Sequence, residues 1–173
     1  MISHGPREAG DASFRLREVV PEDTEMLYRW RMDPASRFAF RSAEEVSLAT
    51  HQGFVARYFS PENTDRWFVI EAEGDPVGAI ALYAISGDGR EAEWGRLVIA
   101  PERRRRGHAG RALALLIEHA RGLGVATLRC EVLEGNAAAQ AAYARAGFRE
   151  ESRETVSGRV FRRLVFPMGE PRV

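Results

Sequence analysis

Residues 103–113 read Arg103-Arg104-Arg105-Arg106-Gly107-His108-Ala109-Gly110-Arg111-Ala112-Leu113, four consecutive arginines directly before a glycine-spaced turn and an apolar run. Beyond the turn, Ala109, Leu113, Leu116, Ile117 and Ala120 recur at helical period until Gly122 and Gly124 stop it. The arginines therefore stand at a helix start, where the first amides have no partner inside the helix. Gly107 and the small Ala109 allow close approach of a ligand to the backbone. Such amides, at the positive end of the helix dipole, hold an anion such as a pyrophosphate, and neighbouring guanidiniums add charge-assisted bonds. Taken alone, a solvated arginine run capping an ordinary helix explains the same letters equally well.

Composition narrows the alternatives. The chain has 173 residues with 25 basic and 25 acidic side chains, so the excess positive charge of a nucleic-acid binder is missing and the arginine run acts locally. No lysine occurs, which removes amine and Schiff-base catalysis and argues against an ATP-hydrolysing phosphate loop. With the many alanines, this composition points to a bacterial source. The single Cys130 forms no internal disulfide, and no run approaches the roughly 18 apolar residues of a membrane span. The expectation is a soluble cytoplasmic protein without nucleic-acid or membrane partners. His51, His108 and His119 lack metal-ligand spacing, so no metal site is expected.

Reading outward, residues 14–19 alternate as a strand, and Pro21 opens a helix that should stop before Pro34. Ser42-Ala43-Glu44-Glu45 reads as the cap of a second helix running to about Tyr58. Residues 66–71, 76–83 and 91–100 form three β-rich runs separated by turns, an antiparallel meander. After the helix that follows the arginines come a strand from Ala126 to Leu133, a helix from Asn136 to Ala146, and a hairpin turned at Ser157-Gly158. Strand, crossover helix and strand imply one parallel pair in a mostly antiparallel sheet. The predicted class is α/β (α+β), a mixed sheet of about six to seven strands flanked by about four helices. One domain spans residues 13–168, with residues 1–12 and 169–173 as flexible ends.

Downstream, Asn136 and Tyr143 lie seven positions apart on a predicted helix, on one face and about 10 Å apart along its axis. The combination resembles the GNAT superfamily of N-acetyltransferases. Its cofactor motif, [Gln/Arg]-x-x-Gly-x-[Gly/Ala], is matched by residues 104–109, and its Asn-x-x-Ala-x-x-x-Tyr-x-x-x-Gly-Phe motif by Asn136, Ala139, Tyr143, Gly147 and Phe148. The resemblance implies a GNAT fold whose parallel strands splay apart around acetyl-CoA. It implies a pantetheine arm along Leu97, Val98 and Ile99, a contact from Asn136, and a pyrophosphate on the amides of residues 105–111. That assigns Arg104, Arg105, Arg106, Gly107, His108, Ala109, Gly110 and Arg111 to the cofactor, with Arg104 and Arg105 preferred for direct contact and Arg103 only solvated.

By the same resemblance Tyr143 is the acid that meets the departing thiolate. The base is Glu93 or Glu131, with Glu91 a third candidate and Glu93 favoured. Cys130 is read as packing. Trp30, Arg31, Arg37, Phe38 and Phe40 look like the acceptor segment of GNAT enzymes that acetylate nucleotide-linked amino sugars, suiting a diphosphate and a stacked base. The expected partner is a small-molecule amine, an amino sugar or nucleotide-linked amino sugar, and a homodimer is compatible with the pattern. Two other readings stay open: a ribosomal-protein type acetyltransferase acting on protein N-termini, and a CoA-binding module without turnover. A pocket closed by residues 31–41 would favour the small acceptor, an open trough the peptide.

Overall fold

The computed structural model describes residues 8–169. The loose ends expected at residues 1–7 and 170–173 lie outside the described residues. Eight strands form one sheet in the order β1-β2-β3-β4-β5-β6-β8-β7. They are β1 (Glu8–Gly10), β2 (Phe14–Glu18), β3 (Arg66–Ala72), β4 (Asp75–Tyr83), β5 (Glu91–Ile99), β6 (Thr127–Leu133), β7 (Arg149–Val156) and β8 (Arg159–Pro167). Among the described residues five α-helices flank it: α1 (Thr24–Met32), α2 (Pro34–Ala39), α3 (Leu48–Tyr58), α4 (His108–Gly122) and α5 (Ala137–Arg145). Among the described residues no helix is long and apolar enough to cross a membrane.

The sheet and helix counts exceed the sequence expectation by one each, for identifiable reasons. Glu8–Gly10, within the stretch read as a loose end, pairs antiparallel with β2, Ala9 opposite Leu16. Pro34 does end α1, but it also occupies the first turn of α2, whose cap is the Asp33 carboxylate accepting from the Ser36 amide. The next helix starts at Leu48 and not near Ser42, because Ser47 is the residue whose hydroxyl accepts from the Thr50 amide at 3.1 Å. The β3–β4 and β7–β8 hairpins turn on two residues with positive φ, Glu73-Gly74 and Ser157-Gly158, the geometry that matches strand twist.

The sheet buries both faces. On one, α4 and α5 cover Phe68, Ile70, Ile80, Leu82, Trp94 and Leu128; on the other, α1 and α3 cover Trp67, Val69, Ala79, Ala81 and Val98. Strands β3 and β4 are accordingly almost continuously buried, which is why their sequences lack clean alternation.

Candidate active site

Strands β5 and β6 pair in parallel only at Glu91, Ala92 and Glu93, opposite Thr127, Leu128 and Arg129. Beyond Glu93 they part. The pairing of β4 with β5 shifts register between Ala79 and Ala81, and Arg96 takes a left-handed φ of 51°, an irregularity that bends β5 away from β6. Between them opens a cavity of about 80 Å³ walled by Trp94–Leu97 on one side and Cys130–Leu133 on the other. Tyr143 and Asn136 from the α5 end, and Ala39 and Phe40 from the α1–α3 connection, complete its lining.

Tyr143 is fixed by packing. Its ring meets Trp94 edge-on at 4.9 Å, with Phe148 behind at 6.4 Å. Burial pushes its phenol well above the ordinary tyrosine value, so the proton stays on at neutral pH. Asn136 caps α5, its side-chain oxygen accepting from the Ala139 amide at 3.2 Å. Cys130 is buried against the core, and burial pushes its thiol upward, which disfavours the thiolate.

At the start of α4, Gly107 is the cap with φ 78°, and no atom lies within 4 Å of where a Cβ would stand. The first intrahelical bond runs from the Arg111 amide to the Gly107 carbonyl at 3.2 Å, so the His108, Ala109 and Gly110 amides stand at the end of the helix without partners within it. Open space over bare amides fits a diphosphate. The four arginines divide among different tasks. Arg103 pairs with Asp75 at 2.9 Å rather than standing solvated. Arg104, assigned from sequence to direct phosphate contact, instead donates to the Asp33 carboxylate, to the Ser36 hydroxyl at 3.0 Å and to the Ile99 carbonyl at 3.3 Å. Arg105 and Arg106 remain exposed beside the helix start. Arg111 stacks on the Phe14 ring at 4.0 Å, and His108 stacks on the same ring at 5.8 Å.

The two favoured carboxylates share one guanidinium. Arg163 reaches Glu93 and Glu131 at 2.9 Å each, while Arg41 reaches Glu131 at 2.5 Å and Glu154 at 2.8 Å. Glu91 pairs with Arg129 at 2.8 Å and is more than half exposed. Glu93 thus has one arginine to displace and Glu131 two.

Residues 33–41 cross the mouth of the cleft as a strap. Arg159 donates to the Phe38, Phe40 and Arg41 carbonyls, the Phe40 bond at 2.9 Å, and Arg31 stacks over the Phe40 ring at 4.0 Å. Of the residues read from sequence as the acceptor segment, Phe40 and Arg31 reach a cavity, and Phe38 is exposed against Gly135. Arg37 pairs with Glu45 at 2.8 Å. Trp30 is a core residue packed under α3. Sequence reading missed Trp94 as the platform for Tyr143, and Arg41, Arg159 and Arg163 as ties; one arginine among 25 basic residues carries no local mark of such a role.

The model of the acetyltransferase (GNAT) family matches residues 24–148. The chain belongs to the GNAT family of acetyltransferases. This GNAT protein is an acyltransferase, and the family's acetyl donor is acetyl-CoA. Its fold superposes on the spermidine N-acetyltransferase of Vibrio cholerae in complex with CoA and spermine, at TM-score 0.82 and 19% identity over 91% of this chain and 97% of that one. A probable acetyltransferase of the GNAT family from Chromobacterium violaceum gives TM-score 0.74 and 20% identity over 95% and 97%. No curated protein matches the sequence.

Proposed function

We propose that this GNAT enzyme transfers acetyl from acetyl-CoA directly to the primary amine of a small molecule, an amino sugar or a nucleotide-linked amino sugar. The observation that carries this reading is the closed strap. Arg104 holds its start at Asp33 and Ser36, Arg159 holds its end at three carbonyls, and Phe40 lines the cleft beneath. A peptide acceptor needs an open trough at this place. A compact amine needs only the cavity on the far side of Phe40.

The division of labour follows from the geometry. The amides of residues 108–110 and the arginines beside them suit the diphosphate, and the backbone of Leu97, Val98 and Ile99, freed from β6 by the splay, offers hydrogen bonds to the pantetheine arm. Acetyl-CoA supplies the activated thioester. Glu93 stands opposite Trp94 in the alternation of β5, on the face toward α1 and α3, and takes a proton from the incoming ammonium once Arg163 yields. Tyr143, on the other side of the cleft, hydrogen-bonds or protonates the leaving thiolate, whose thiol has a reference pKa of about 8.5. This reading places the enzyme in the cytoplasm of a bacterium, where its donor is made.

The test is release of free thiol from acetyl-CoA across a panel of amino sugars, nucleotide-linked amino sugars and peptides with free N-termini. Turnover of sugars over peptides is expected; preference for peptides would overturn the reading.

A further inference from the structure

Beside the cleft lies a second cavity, of about 310 Å³, between α1, α3 and the sheet. Phe40 and Arg96 line both, so the two spaces adjoin. Its walls are largely apolar, yet it carries Arg31, Arg57 and Arg96, and no carboxylate lines it. Two of its lining donors, Arg31 Nη1 and Trp67 Nε1, are buried without a hydrogen-bond partner. Both residues stand in the wall of a cavity lined by cations and by no carboxylate, a setting suited to an acceptor-rich group that the protein itself does not provide.

Two of the three guanidiniums are held in place. Arg31 is fixed by its stack on Phe40 and by donation to the Ser42 carbonyl at 2.8 Å. Arg96 is fixed by Asp65 at 3.0 Å and lies over Tyr83 at 4.6 Å and Phe54 at 5.1 Å. Arg57 extends over Phe54 at 5.9 Å and meets no carboxylate among the described residues. Burial, and then the charge of Arg37, pushes the Arg31 guanidinium below its ordinary value.

Resting on the acetyltransferase reading above, we infer that the acceptor amine carries an anionic group, a carboxylate or a phosphate, bound by Arg31 and Arg57, with its amine directed past Phe40 and Arg96 into the cleft. A volume of about 310 Å³ is at the lower end of ligand pockets, so the acceptor is compact, an amino acid or a phosphorylated amino sugar in size. The Vibrio cholerae neighbour is named for spermidine and was solved with spermine; a polycation of that kind would here meet the guanidiniums of Arg31 and Arg57 in a wall without a carboxylate.

The experiment compares matched acceptors in the thiol-release assay: glucosamine 6-phosphate against glucosamine, an amino acid against its methyl ester, and spermidine. The anionic member of at least one pair should show kcat/KM greater by about 10-fold or more, as a charge-assisted bond to arginine would give, and the favoured pair separates phosphate from carboxylate. Arg31→Met and Arg57→Met should shrink that ratio, which a general loss of folding does not move. Calorimetry on the protein–CoA complex reads the same preference without turnover. Equal use or binding of both members, or preference for spermidine, would overturn the inference while leaving the acetyltransferase reading intact. Absence of any heat with acetyl-CoA would instead sink that reading.

Discussion

The ring of Tyr143 stands edge-on against the indole of Trp94, centroids 4.9 Å apart and planes at 79°, which locks a residue of α5 to the strand where the cleft opens. Tyr143→Phe preserves that contact and removes only the hydroxyl. Turnover is expected to fall by roughly 10²-fold with acetyl-CoA affinity retained, the loss typical of a positioned acid. Steady-state rates alongside calorimetry check it, and unchanged turnover removes the acid role.

Gly107 holds φ 78° with open space where a side chain would point. Gly107→Val adds about 1–2 kcal/mol of left-handed strain and pushes methyl groups into the space over the bare amides. Acetyl-CoA binding should disappear from calorimetry; retained micromolar affinity would contradict the cradle.

Arg163 forks between Glu93 and Glu131. Glu93→Gln should lower kcat with the acetyl-CoA Kd unchanged, because a proton acceptor is lost. Glu131→Gln should instead weaken the hold of Arg41 and raise the acceptor KM. If neither lowers kcat, solvent deprotonates the amine.

Arg159→Met removes the donor to the Phe38, Phe40 and Arg41 carbonyls. Two to three lost charge-assisted bonds should free the strap, increase proteolytic cleavage near residue 40 and raise the acceptor KM about 10-fold, with the acetyl-CoA Kd unchanged. An unaltered acceptor KM would show that the strap does not shape the acceptor site.

His119 is buried edge-on against Phe68, centroids 5.1 Å apart, with Nε2 unpartnered, and burial pushes its pKa below the ordinary 6.5. Between that value and the lower folded one, the unfolded chain binds a proton that the native imidazole refuses. Stability therefore decreases as pH falls below about 6.5, and His51, also lowered by burial, adds to the slope. Thermal melts from pH 7.5 to 5 should show a falling Tm, with a shallower fall for His119→Phe; a parallel fall would rule this origin out.

Much of the architecture is visible in local spacing. The 109–120 stripe becomes α4, the period-two strands fall in place, and Asn136 caps the helix that carries Tyr143. The missed elements are those whose signals are short or double-edged. Three residues at Glu8–Gly10 carry too little pattern to separate a strand from a tail, and a Pro that stops one helix is also a good first residue for another. Trp30, read as part of the acceptor segment, packs in the core, since an aromatic on a helix face reads the same whether it lines a pocket or a core.

The sequence by itself determined the order of the longer elements, from the strand at Phe14 to the last hairpin, and the family's two motifs and hence the acyl-transfer chemistry, since each depends on neighbours within a turn or two of helix or strand. Tertiary structure alone decided what the arginines do. Arg104 meets Asp33, Arg159 meets Phe40 and Arg163 meets Glu93 across separations of 71, 119 and 70 residues. The long guanidinium arm carries no local preference for any of these partners, so only the folded sheet, splayed at β5 and β6, brings them within reach.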